Sequence, residues 1–76
     1  MKETSDFIGK WMKDTFALND DELYNSPLAH YMDSLDRAML CMELEERYDI
    51  QIADEEMREW WDFVDVVKCV DEKLDL

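Results

Sequence analysis

One glycine, one proline and one histidine are all that these 76 residues contain of those three types. So little punctuation argues against a β-sandwich, which needs many turns, and for helices joined by polar connectors. The lone histidine, His30, has no nucleophile with a nearby base to serve, so no enzyme is expected. Two cysteines, Cys41 and Cys69, fit no metal or redox spacing and fall within apolar helical patterns, where buried thiols are expected. Positive charge is scarce too: 8 Lys and Arg against 21 Asp and Glu leave a formal net charge of −13. A nucleic-acid backbone would be repelled, and so would an anionic membrane surface. The longest apolar stretch, around Ala38 to Met42, is far too short to span a bilayer. Lys2, Glu3, Asp6, Lys10, Lys13 and Asp14 break any signal-peptide core near the start. A reduced, soluble, cytoplasmic monomer is the expectation.

What is present is 47 % hydrophobic and 12 % aromatic. The charges are interleaved with apolar residues, unlike those of a disordered acidic tail. A chain this short makes one domain with a small core.

Phe7, Ile8, Trp11, Met12, Thr15 and Phe16 recur on one helical face, which predicts a first helix over 5–17 with Thr4, Ser5 or Asp6 as its cap. Gly9 lies inside it at a cost of about 1 kcal/mol relative to Ala. Residues 18–33, rich in Asn, Asp, Ser and Pro, read as a connector pinned by Leu23, Leu28 and Tyr31. Asp33 caps a second helix over 34–48, with Leu40, Cys41, Leu44 and Tyr48 facing the core. Leu35, Ala38, Met39 and Met42 make a second apolar line of the kind that meets a partner. An extended connector over 49–53 buries Ile52, and Asp54 caps a brief helical turn at 55–60. Asp62 caps a last helix in which Phe63, Val66, Val67, Val70 and Leu74 repeat at helical spacing. The fold class is therefore all-α: a small antiparallel four-helix bundle, three helices long and one short. Met12, Met39, Met42 and Met57 are candidates for a soft, adaptable core.

Several candidate sites carry little. His30 in a loop reads as structural or solvated. Asn19-Asp20-Asp21-Glu22 has the composition of a calcium loop without its spaced oxygens or central glycine. Trp60 and Trp61 read as packing residues at the core and its edge.

Asp33-Ser34-Leu35-Asp36, at the seam between connector and second helix, stands apart. With Leu40, Met42, Leu44, Glu45, Glu46, Tyr48 and Asp49 behind it, then Ile52 and Asp54-Glu55-Glu56, the chain resembles the acyl carrier proteins. The resemblance is good over 33–70 and looser over 1–32. It implies that Ser34 is esterified by 4′-phosphopantetheine, with Asp33 and Leu35 flanking the attachment point. The arm would hold acyl groups as thioesters and present them to biosynthetic enzymes, raising their effective concentration at each partner. The implied partners are a phosphopantetheinyl transferase and acyl-transferring or acyl-modifying enzymes with basic or apolar docking patches. Asp36, Arg37, Met39, Met42, Glu45 and Glu46 are the implied partner-facing residues. A phosphodiester on Ser34 would lie at a helix N-terminus, where free N–H groups and the helix dipole favour an anion by roughly 0.3–1 kcal/mol. Residues 33–56 hold nine acids and two bases, a local charge of −7 that speeds encounter with basic patches.

The sequence departs from the family at several points. Tyr31 stands where the family usually has glycine, the loop before the motif is shorter than in the fatty-acid type, Met39 replaces a common acid, and Arg37 adds a positive charge. These departures point to a specialised fatty-acid, lipid or polyketide pathway. A peptidyl or aminoacyl carrier of a nonribosomal pathway, and an acidic helical interaction module without the arm, are the alternatives.

Overall fold

Strong local signals at helix ends set the architecture. The computed structural model describes residues 2–74 and contains five α-helices: α1 (Lys2–Phe16), α2 (Asp20–Asn25), α3 (Ser34–Tyr48), α4 (Asp54–Arg58) and α5 (Phe63–Lys73). A 3₁₀ turn, Leu28–His30, lies between α2 and α3, and no strand occurs among the described residues. The count corrects the expected four helices, because the connector over 18–33 folds in part. Asn19 accepts from the Glu22 N–H at 2.8 Å while the Glu22 carboxylate accepts from the Asn19 N–H at 3.0 Å. That reciprocal box satisfies two orphan donors and starts α2. Buried Leu23 then anchors it.

α1 also begins earlier than expected, so Thr4, Ser5 and Asp6 lie within the helix and none caps it. Thr4 is buried, and its hydroxyl donates to the Asp71 carboxylate of α5 at 2.6 Å. The helix ends on Ala17, which adopts a left-handed conformation (φ 56°), with the Leu18 N–H returning to the Lys13 carbonyl at 3.1 Å. This is the six-to-one closure that usually recruits glycine. α4 starts one residue before the expected turn, so Asp54 is its first residue and does not cap it. The Ala53 N–H is instead taken by the Glu56 side chain at 3.0 Å. α3 and the start of α5 follow the expected spans, capped by Asp33 and Asp62.

The core gathers Ile8 and Met12 of α1, Leu23 of α2, Leu28 and Met32 of the connector, Leu40, Cys41 and Leu44 of α3, and Trp60, Phe63, Val66 and Val70 around α5. α1 packs on α2 and α5, and α2 also touches α5. Only a small residue fits at Gly9, since a Cβ there would lie in van der Waals contact, 3.4 Å from Leu23 Cδ2 and from Phe63 Cζ. α1 is tied to α3 by Arg47, whose guanidinium lies 4.0 Å over the Phe7 ring and 3.1 Å from Glu3. The radius of gyration, 11.3 Å, matches the roughly 11 Å of a folded chain this long. Two expectations for the methionines fail: Met39 and Met42 are exposed and belong to no soft core, and buried Met32 takes a place foreseen for neither. Ile52 is half-buried. No helix among the described residues is long and apolar enough to cross a membrane.

Candidate functional site

The approach to α3 is built by backbone hydrogen bonds. Leu28 donates to the Trp61 carbonyl at 2.9 Å, which holds the connector against the link between α4 and α5. Tyr31 and Met32 then return to the Leu28 carbonyl at 3.1 and 2.8 Å. Tyr31 takes φ −140°, open to any residue, so the chain enters α3 without the glycine that the resemblance implies at that place.

Asp33 is the N-cap of α3. Its carboxylate accepts from the Asp36 N–H at 2.8 Å, and the Asp36 carboxylate accepts from the Asp33 N–H at 3.0 Å. Capping is therefore complete without Ser34. Ser34 is the first residue of α3, it is exposed, and its hydroxyl has no partner among the described residues. Leu35 follows, exposed as well. Asp33, Ser34, Leu35 and Asp36 thus form one group at the helix start, in which two carboxylates are occupied and one hydroxyl is free.

The remaining candidates divide. Met39, Met42 and Glu46 are exposed on α3, and with Trp11 and Glu43 they line a groove of about 150 Å³ between α1 and α3. Arg37 and Glu45 are turned to internal work. The Arg37 guanidinium donates to the Met57 and Trp60 carbonyls at 3.0 and 2.9 Å. Glu45 accepts from the Ile52 N–H at 2.8 Å and fixes the link to α4. Both residues are half-buried, and these long-range contacts are ones that sequence spacing does not report. Trp11 and Glu43 were not singled out for the groove. Trp11 sits on the apolar face of α1 and read as core, whereas it is only half-buried.

Elsewhere, His30 is exposed on the 3₁₀ turn, and Trp60 is buried while Trp61 is exposed. Cys41 is buried, Cys69 half-buried, and both are free thiols. Burial pushes the Cys41 thiol up to about 11, with Glu45 adding to the effect, which leaves it protonated and unreactive near neutrality. No group of three or more His, Cys, Asp or Glu able to hold a metal occurs among the described residues.

The chain matches no protein-family model, and no curated protein shows significant similarity to it.

Proposed function

We propose that this protein is an acyl carrier: Ser34 bears a 4′-phosphopantetheine arm whose terminal thiol holds acyl groups as thioesters for a series of enzymes. The observation that carries the reading is the free, exposed hydroxyl of Ser34 at the first position of α3, beside a cap that Asp33 and Asp36 complete without it. A serine whose only role was capping would spend its oxygen on a backbone N–H. Here that role is filled, so the hydroxyl remains available to a modifying enzyme.

The residues around it fit such a group. The first N–H groups of a helix have no intrahelical partner and point towards an anion placed before them. The Asp33–Asp36 box takes two of those donors, the N–H groups of Asp33 and Asp36, and leaves those of Ser34 and Leu35. Exposed Leu35 gives an apolar neighbour on which the arm can lie. On this reading the five helices form a variant of the antiparallel acyl-carrier bundle, with α2 as an added turn in the first connector. The partners are a phosphopantetheinyl transferase and enzymes that load, modify or remove the acyl group, probed through basic or apolar surfaces.

Intact-mass measurement after incubation with coenzyme A and a broad-specificity phosphopantetheinyl transferase tests the assignment. The wild type gains one phosphopantetheine mass and Ser34→Ala gains none. An unmodified wild type, or a Ser34→Ala protein that still gains the mass, overturns it. The exposed apolar line of α3 favours a second reading, an interaction module without an arm, and that reading requires the unmodified result.

A further inference from the structure

An apolar chain carried on Ser34 would leave water wherever the fold could take it. The way into the core closest to that serine is the seam between the first turn of α3 and the α4–α5 link, and polar contacts staple it shut. Arg37, one turn along α3 from Ser34, donates to the Met57 and Trp60 carbonyls. On the connector side, the Leu28 N–H donates to the Trp61 carbonyl, so the link is bound both to the connector and to α3. Near the far end of α3, Glu45 takes the Ile52 N–H, and the Glu56–Lys73 pair, 2.8 Å apart, ties α4 to α5. No residue of α4 is fully buried, so polar contacts supply much of its anchorage.

Behind the staples the space is filled. Trp60, 4 % exposed, is the bulkiest side chain of the core and shares its cluster with Leu40, Leu44 and Phe63. A chain entering here would shift the indole and lay its methylenes against a guanidinium stripped of its two carbonyls. Both oppose entry, because a buried charge without its hydrogen bonds is costly. A depression of about 700 Å³ farther along α3 offers an alkyl chain no refuge, since Glu45, Glu56 and Lys73 line it beside Ile50 and Ile52. We propose that the acyl group stays outside the helices, excluded by the Arg37 clamp and Trp60, and that the cargo is therefore short or hydrophilic. A long alkyl chain would be left in water, at a cost that grows with each methylene. This inference rests on the carrier reading of Ser34 and names the substrate class of that site.

The full chain is loaded in parallel from acetyl- and octanoyl-coenzyme A by the transferase, and loading is read by intact mass. In the wild type, the Trp60 indole N–H resonance and the urea midpoint are the same for both cargoes, while retention on a hydrophobic column rises from acetyl to octanoyl. In Arg37→Met the seam can part: octanoyl, unlike acetyl, shifts the Trp60 indole and raises the urea midpoint, and the extra retention falls. Arg37→Lys, which keeps a charge at the seam, behaves as the wild type. The cargo class is read from the wild type alone, so it does not depend on how well the variants fold. A wild-type protein whose Trp60 indole moves and whose urea midpoint rises on octanoyl loading takes the chain into its core and overturns the proposal. Octanoyl-dependent shifts of the Trp11 indole and the Met39 and Met42 methyls place the chain in the groove between α1 and α3, and overturn the restriction to short or hydrophilic cargo. A folded Arg37→Met protein that leaves octanoyl as exposed as the wild type does overturns the part given to Arg37. A chain that gains no mass overturns the carrier reading itself, whereas a loaded chain that buries octanoyl leaves that reading standing.

Discussion

Arg37 Nη1 donates to the carbonyl oxygen of Trp60 at 2.9 Å, across 23 residues of sequence. The same nitrogen reaches the Met57 carbonyl at 3.0 Å. One guanidinium thus closes the end of α4 and the start of the α4–α5 link onto the first turn of α3, the turn that presents Ser34. Trp60 lies in the core, so its main-chain position matters to packing as well as to the loop.

Arg37→Met retains most of the aliphatic stem and removes both donors. Hydrogen bonds from charged groups contribute about 1.5–3 kcal/mol, and the Trp60 carbonyl would be left without its partner. Urea unfolding should show a loss of about 2 kcal/mol, with Arg37→Lys recovering part of it. A variant as stable as the wild type would show that the clamp contributes nothing net.

Ala17 occupies a left-handed conformation at the end of α1. A residue with a Cβ there costs roughly 1–2 kcal/mol, part of which glycine gives back through its greater freedom in the unfolded chain. Ala17→Gly should therefore raise stability by about 0.5–1 kcal/mol, and Ala17→Val should lower it. The urea midpoints of the two variants, one above and one below the wild type, are the check.

Gly9 makes the opposite case, since it is helical and needs no special φ. Its missing side chain makes room for Leu23 and Phe63, each 3.4 Å from where a Cβ would be. That distance is van der Waals contact without overlap, so Gly9→Ala should gain most of the roughly 1 kcal/mol of helix propensity. Gly9→Leu has no space and should lose about 3 kcal/mol through overpacking. A destabilised Gly9→Ala would mean that α1 and α2 sit closer than the structure has them.

How far these features were legible in the sequence depends on the range of the interaction behind them. α3 was readable end to end, because Asp33 caps it locally and its core stripe of Leu40 and Leu44 is strongly periodic. α2 was not, because Asn19 through Glu22 carries turn chemistry and capping chemistry in the same residues, and buried Leu23 decides between them. The exposure of Ser34 accords with its place at a helix start. The internal roles of Arg37 and Glu45 were hidden, since their partners at Met57, Trp60 and Ile52 are set by how α4 folds back on α3. Trp11 misled for a related reason: helical spacing places it on an apolar face without saying where that face stops being covered.

Two buried acids predict how the fold responds to alkali. The Tyr31 hydroxyl is buried without a hydrogen-bond partner. Burial, reinforced by Asp62 and opposed by Arg37, pushes its pKa up to about 12. The Cys41 thiol is pushed up to about 11, by burial first. Both are neutral when protonated, and both ionise at lower pH in the unfolded chain, where the ordinary values are about 10 for tyrosine and 8.5 for cysteine. Between those values and the folded ones the native state binds more protons than the unfolded state, so stability falls as pH rises. Urea midpoints should hold up to about pH 8.5 and then decline towards pH 12. Tyr31→Phe should match or exceed the wild type at pH 7, because it removes a buried hydroxyl that bonds to nothing, and should decline less steeply above pH 10. If Tyr31→Phe and wild type run parallel through that range, the phenol is solvated and the packing of Tyr31 against Phe16, 5.4 Å between ring centres, is looser than described.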